Sequence, residues 1–213
     1  MSGIARLNRG LFDDMNAFAR HTGWLHGPLT AYAKYGVVLF GLLLLAGLVR
    51  SRHGTAQALA ASVWAGVAIL LAVAVNQPIV HAVHEARPYT GHPNVLVLVA
   101  RSADPSFPSD HSVMAGAAAA GLFFVSRRLG VVTLAAAVLM ALSRVYVGAH
   151  YPGDVLGGLV VGAAVAVLGW LLVGGVLTAT ATWLRAQPRL RNLLVVDASS
   201  RPASPQPETH VRP

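Results

Sequence analysis

Cysteine is missing from this chain, so disulfides and thiolate metal sites are excluded. Charge is also scarce: only 11% of the 213 residues are Asp, Glu, Lys or Arg, while 55% are hydrophobic. A soluble domain carries roughly 25% charged residues. With a mean hydropathy of +0.59, the chain lacks the charge to cover a globular surface, and a membrane protein is the first expectation. Lysine is almost absent. Lys34 is the only one, and the net charge of +8 comes from arginine. Those arginines sit at the ends of apolar runs, with neither a basic stripe nor interleaved aromatics. They predict topology and contact with anionic lipid, not nucleic acid. Nor is there a cleavable signal pattern in residues 1–25, which are polar and contain Asp13 and Asp14.

Long apolar runs are what the chain does have. About 20 residues cross a bilayer as a helix. Five stretches meet or approach that length, at 31–49, 56–75, 109–126, 129–148 and 154–178. The expected fold is all-α, a polytopic membrane helical bundle of about five transmembrane helices. Val95 to Ala100 is too short to span and reads as part of an irregular or re-entrant segment within 76–108. Before the first span, Leu11, Met15 and Phe18 share one helical face. Residues 1–28 read as an N-terminal interfacial helix or as a short helix packed on the bundle. Gly153, Gly157, Gly158 and Gly162 give small-residue spacing that suits packing within the bundle; a homodimer seam is the less favoured use. Oligomeric state does not follow from the sequence. The membrane domain is expected over 1–185. Residues 186–213, rich in Pro, Ser and Arg, read as a disordered cytoplasmic tail.

With five spans, Arg50, Arg52, Arg127, Arg128, Arg185, Arg189 and Arg191 fall on one side, expected to be cytoplasmic. Arg6, Arg9 and Arg20 count against this, though acids accompany them. Arg87, His111, Arg144, His150 and Asp154 then gather at the outer face of the membrane.

These last residues come from three fragments: Ala86-Arg87-Pro88-Tyr89, Pro108-Ser109-Asp110-His111-Ser112, and Ser143-Arg144 leading to His150 and Asp154. His150 and Asp154 are four apart. A carboxylate on one ring nitrogen fixes the tautomer and makes the other nitrogen a better nucleophile. The alternative is a helix cap beside a surface histidine. His111 lies just inside a helix start, where free N–H groups bind anions and a histidine can protonate a leaving oxygen. Ser109 adds a hydroxyl, and Ser109 or Asp110 also suits an N-cap. Arg87 and Arg144 offer planar forks for phosphate oxygens. An interfacial arginine accounts for Arg87 alone, but Arg144 deep in an apolar run points to function.

Together the fragments resemble the three motifs of the type 2 phosphatidic acid phosphatase superfamily, which also holds bacterial acid phosphatases and vanadium haloperoxidases. Ser143, Arg144, His150 and Asp154 match its third motif in full. Pro108-Ser109-Asp110-His111 matches the second, with Asp where most relatives have Gly. Arg87-Pro88 matches the end of the first. Ser106-Phe107-Pro108-Ser109-Asp110-His111 and Val145-Tyr146-Val147-Gly148 are similar to the bacitracin-resistance group of undecaprenyl-diphosphatases, as is the segment from Phe12 to Gly36.

The resemblance implies an α-helical enzyme, with neither metal nor cofactor, that removes the terminal phosphate of a polyprenyl diphosphate at the outer face of the plasma membrane. The carrier lipid then returns to cell-wall synthesis. It implies His150 as nucleophile, Asp154 as its orienting partner, His111 as acid and then base, and Arg87, Arg144 and Ser109 as phosphate ligands. The same chemistry on phosphatidate or phosphatidylglycerophosphate is the alternative. A non-catalytic phosphate-binding membrane protein is a further one, and a haloperoxidase fits poorly with so small a bundle. One departure stands out: the lysine that opens the first motif is replaced by Val80. If the stretch is helical, His84 shares a face with Val80 and Arg87 and is the expected stand-in, ahead of His81 and Lys34. A histidine carries full charge only below about pH 6.5. Asp110, a carboxylate beside a diphosphate, reads as a cap, an orienter of His111 or an arginine, or a selector of the second phosphate.

Overall fold

A computed structural model describes residues 3–90 and 92–187; most of the expected tail lies outside the described residues. Seven helices follow in order: α1 (Gly3–His21), α2 (Gly23–Tyr35), α3 (Val37–Ser51), α4 (Ala56–Val83), α5 (Asp110–Val125), α6 (Arg127–Tyr146) and α7 (Pro152–Ala186). There is no strand among the described residues. The fold is all-α, as expected.

Three helices, α4, α6 and α7, are long and apolar enough to cross a membrane. The pair α2 and α3, bent by 56° at Gly36, makes a fourth. Glycine at that bend permits close packing, because a Cβ there would come within 2.6 Å of Met140 Cε. The stretch expected as a third span is α5, only 16 residues long. At 1.5 Å per residue it measures about 24 Å, short of a hydrocarbon core of about 30 Å.

That short helix is the centre of the bundle. Ser112, Val113, Ala115, Gly116, Ala117, Ala118, Ala119, Gly121 and Leu122 are all buried, so the middle of α5 is enclosed by its neighbours. Its Ala and Gly residues let the neighbouring backbones come close. Gly158 and Gly162 of α7 answer them. A Cβ on Gly158 would lie 2.7 Å from Ser109 O, and one on Gly162 2.8 Å from Ala117 N. The glycine spacing therefore serves packing within the chain. Outward, Leu42 and Leu45 of α3, Leu70 of α4, Val131 of α6 and Leu171 and Leu172 of α7 are exposed, as a lipid-facing surface requires.

α1 packs on the bundle by one face and carries an apolar stripe on the other. The face against the bundle is Phe12, Asn16 and Ala19. Ile4, Leu7, Leu11 and Phe18 point outward, the arrangement of a helix lying in a membrane interface. The inner face carries Asn16 because an irregular segment needs its backbone satisfied there. Asn16 Nδ2 donates to Leu96 O (2.8 Å) and Leu96 N donates to Asn16 Oδ1 (3.1 Å). Leu98 N donates to Val147 O (3.0 Å). The loop expected over 76–108 starts later, since α4 continues to Val83, and the non-helical residues 84–90 and 92–109 are thereby laid over the end of the bundle. At the opposite end Arg185 donates to Gly54 O (2.7 Å) and Ser51 O (2.8 Å), which gathers that arginine with the Arg50 and Arg52 turn.

Candidate active site

The N-terminus of α7 holds His150 and Asp154 in place. Pro152 occupies the first helical position, where its missing N–H costs nothing. Asp154, two residues further on, turns its carboxylate back and Oδ2 accepts from Tyr151 N (2.8 Å). The same oxygen accepts from Ser106 Oγ. Asp154 is completely buried and His150 is 3% exposed. The cap and the histidine partner, posed as alternatives from sequence, are one arrangement.

The tautomer of His150 has a different cause from the one expected. Nδ1 is 2.9 Å from the carbonyl of Ser106 but 3.5 Å from Asp154 Oδ2. The carbonyl is the hydrogen-bond acceptor that places the ring proton on Nδ1. The carboxylate adds a buried negative charge close by. Nε2 is then the unprotonated nitrogen, and Arg87 Nη1 lies 3.2 Å from it. Burial holds the His150 pKa below the ordinary imidazole value. The nearby Asp154 carboxylate opposes this, and the Arg144 and Arg87 charges reinforce it. The ring is neutral at pH 7 and available as a nucleophile.

Arg87 is fixed by main-chain oxygens. Nε donates to Asp104 O (2.7 Å) and Nη1 to Ala149 O (3.2 Å). Arg144, in the last turn of α6, donates from Nη1 to Ala33 O (3.3 Å), and its buried Nε has no protein partner. Ser109 takes the N-cap position of α5 without making a side-chain cap bond. Its Oγ is buried and unpartnered as well. Unpartnered buried donors of this kind suit an anion with several oxygens.

Arg87, Arg144, His111 and His150 line one cavity of about 400 Å³, with Gln77, Val80, His81 and Asp110 among its other walls. The three fragments therefore meet, as expected. His84 does not join them. α4 ends at Val83, and His84 is its C-cap, in the left-handed region at φ 50°. The helical face invoked for residues 80, 84 and 87 breaks there. His84 instead borders an adjoining hollow that shares Arg87, Ser102, Asp104 and Pro105 with the main cavity. His81, one turn earlier on the intact helix, faces the main cavity beside Val80.

Ser106 and Asn76 were not anticipated. Ser106 contributes both its carbonyl and its hydroxyl to the His150–Asp154 pair. It stands within the Ser106-to-His111 run, but nothing in the spacing distinguishes its role from that of Ser109. Asn76 Nδ2 donates to Asp110 Oδ1 (2.7 Å), and Gln77 Nε2 reaches the same oxygen (3.3 Å). Asp110 is thus tied to α4.

Residues 61–177 match the family model of the PAP2 superfamily. The chain is 32% identical over 155 residues to undecaprenyl-diphosphatase BcrC of Bacillus subtilis (strain 168), covering 73% of this chain and 78% of that one. Its fold is similar to the crystal structure of a transmembrane PAP2-type phosphatidylglycerolphosphate phosphatase from Bacillus subtilis. The TM-score is 0.62 at 22% identity, over 83% of this chain and 89% of the other. The crystal structure of Aquifex aeolicus LpxE is similar with a TM-score of 0.52 and 28% identity, over 78% and 95% of the two chains. The family match takes in the fragments around Arg87, His111, Arg144 and His150, and the likeness to BcrC extends across most of both chains; the chain belongs to the PAP2 superfamily and is a membrane phosphatase.

Proposed function

We propose that the chain hydrolyses a polyprenyl diphosphate, undecaprenyl or decaprenyl, to the monophosphate and inorganic phosphate, with a phosphohistidine at His150. The observation that carries this reading is the His150 ring: Nδ1 is tied back to Ser106 O and Nε2 lies beside Arg87 in the cavity. The similarity to an undecaprenyl-diphosphatase supports the lipid class.

Nε2 attacks the terminal phosphorus while the bond to the bridging oxygen breaks. The electron pair leaves with the polyprenyl phosphate, and His111 donates the proton. Water then attacks the phosphohistidine with His111 accepting its proton, and the N–P electron pair returns to His150. Arg87, Arg144 and Ser109 bind the equatorial oxygens, where transition-state charge gathers. Asp154 balances the charge on the phosphorylated ring. His81 supplies the further phosphate contact that sequence had assigned to His84. The protein's own groups account for each step, and no metal is required. The arginine-rich turns lie at the opposite end from the cavity, which supports a plasma-membrane enzyme with its active site facing outward. Such a site returns carrier lipid to cell-wall synthesis.

The test is phosphate release from undecaprenyl diphosphate, phosphatidate and phosphatidylglycerophosphate by purified protein, with EDTA present. The polyprenyl lipid is expected to react fastest. His150→Ala is expected to abolish turnover and acid-labile labelling by substrate carrying a radioactive terminal phosphate. Retained turnover in that variant removes His150 as nucleophile, and loss of wild-type activity in EDTA rules out the metal-free route. A faster glycerolipid moves the substrate assignment to that class.

A further inference from the structure

Asn76 lies in α4, a helix long and apolar enough to cross the membrane, and it is wholly buried. An amide in that setting is costly, and such groups mark functional sites. Its Nδ2 group divides two donations between the residues that precede His111. One goes to Pro108 O (3.2 Å) and the other to Asp110 Oδ1 (2.7 Å). Gln77 reinforces the second. No hydrogen bond reaches the His111 ring among the described residues. The aim of that ring therefore depends on the start of α5, and a buried amide from a neighbouring helix grips this turn on either side of Ser109, at the Pro108 carbonyl and at the Asp110 carboxylate.

We infer that Asn76 is a positioning residue for the acid and base His111, acting through Pro108 and Asp110. The inference rests on the role given to His111 above. It also provides a use for Asp110. Its carboxylate, anomalous next to a diphosphate, is the acceptor by which α4 holds the α5 terminus. Asn76 touches neither substrate nor reacting atoms. Its effect belongs in kcat, because misplacing a proton donor by about 1 Å costs roughly 100-fold, whereas Arg87 and Arg144 continue to bind phosphate.

The experiment compares Asn76→Leu, Asn76→Asp and the exchanged pair Asn76→Asp/Asp110→Asn in detergent-purified protein, with His111→Ala alongside. Asn76→Leu is expected to lower kcat roughly 10- to 100-fold with KM within about threefold. In Asn76→Asp two carboxylates face each other and must share a proton. Its kcat should recover as pH is lowered, in contrast to Asn76→Leu. The exchanged pair restores the 76–110 hydrogen bond with donor and acceptor reversed, and should regain part of the lost kcat at neutral pH. Thermal unfolding of each variant separates lost aim from lost fold, and the acid recovery of Asn76→Asp does not depend on Asn76→Leu folding. Folded Asn76 variants with wild-type kcat and pH profile, while His111→Ala is inactive, would overturn the positioning role alone. Full activity in His111→Ala would overturn it together with the acid and base role of His111.

Discussion

Asp154→Asn tests the division of labour around His150. The carboxylate is 3.5 Å from Nδ1, and the Ser106 carbonyl at 2.9 Å already holds the ring proton. The substitution should therefore leave the tautomer intact and remove only charge. Phosphorylated His150 with a proton on Nδ1 is cationic at the ring. At an effective dielectric of about 20, a unit charge 3.5 Å away is worth about 5 kcal/mol. With the amide oxygen in the place of Oδ2, Ser106 Oγ and Tyr151 N still donate to it, which recovers part of that. A barrier increase of about 3–4 kcal/mol remains, between two and three decades in kcat. KM should barely move, since Asp154 is not among the residues lining the cavity. Single-turnover phosphate release from micellar substrate, with thermal unfolding as the control for folding, measures both quantities. A folded Asp154→Asn enzyme within about fivefold of wild-type kcat would refute the electrostatic role. Ser106→Ala keeps the carbonyl and loses one donor to the carboxylate, so a smaller loss, about tenfold, is expected.

Three other outcomes are expected. His81→Gln should raise KM for the diphosphate severalfold while His84→Gln stays within about twofold of wild type; the reverse ranking would return the phosphate contact to the C-cap. Burial holds the pKa of His150 below its ordinary value, so the unfolded chain binds that proton first as pH falls. Stability and the active neutral ring are thus both present at pH 7. Thermal midpoint should decline below about pH 6.5, with the acid limb of kcat/KM lying on the same side; an acid limb above that pH would contradict the burial argument. Gly162→Ala would push a methyl group against the backbone of α5 and should cost roughly 1–3 kcal/mol of stability, read by unfolding in detergent, with the pH profile unchanged.

Membrane class, the meeting of the three fragments and the position of the site at a helix start were all legible in the sequence. Apolar runs and motif spacing are local signals, and each had only one favourable placement. His84 was misplaced because helix termination was the deciding event. Pro88 limits only Arg87 directly, and a histidine in the left-handed region leaves no mark in composition. The docked face of α1 was not legible for a related reason. Its inner stripe contains Asn16, a polar residue chosen to satisfy Leu96, so hydrophobic periodicity pointed to the lipid-facing stripe. Ser106 and Asn76 act through a carbonyl and through a contact 34 residues distant in sequence, and neither type of interaction is written in spacing.

The family match begins at residue 61, yet three supports of the site come from before it. Asn8 Oδ1 accepts from Gly153 N (2.7 Å) at the first turn of α7, Asn16 clamps Leu96, and Ala33 O receives Arg144. The reacting groups and their scaffolding thus belong to different stretches of the chain. Chimeras that exchange the first 60 residues between relatives would retain every motif while altering what those motifs lean on. Natural divergence in this segment would offer a route to new turnover rates with no change to a reacting residue.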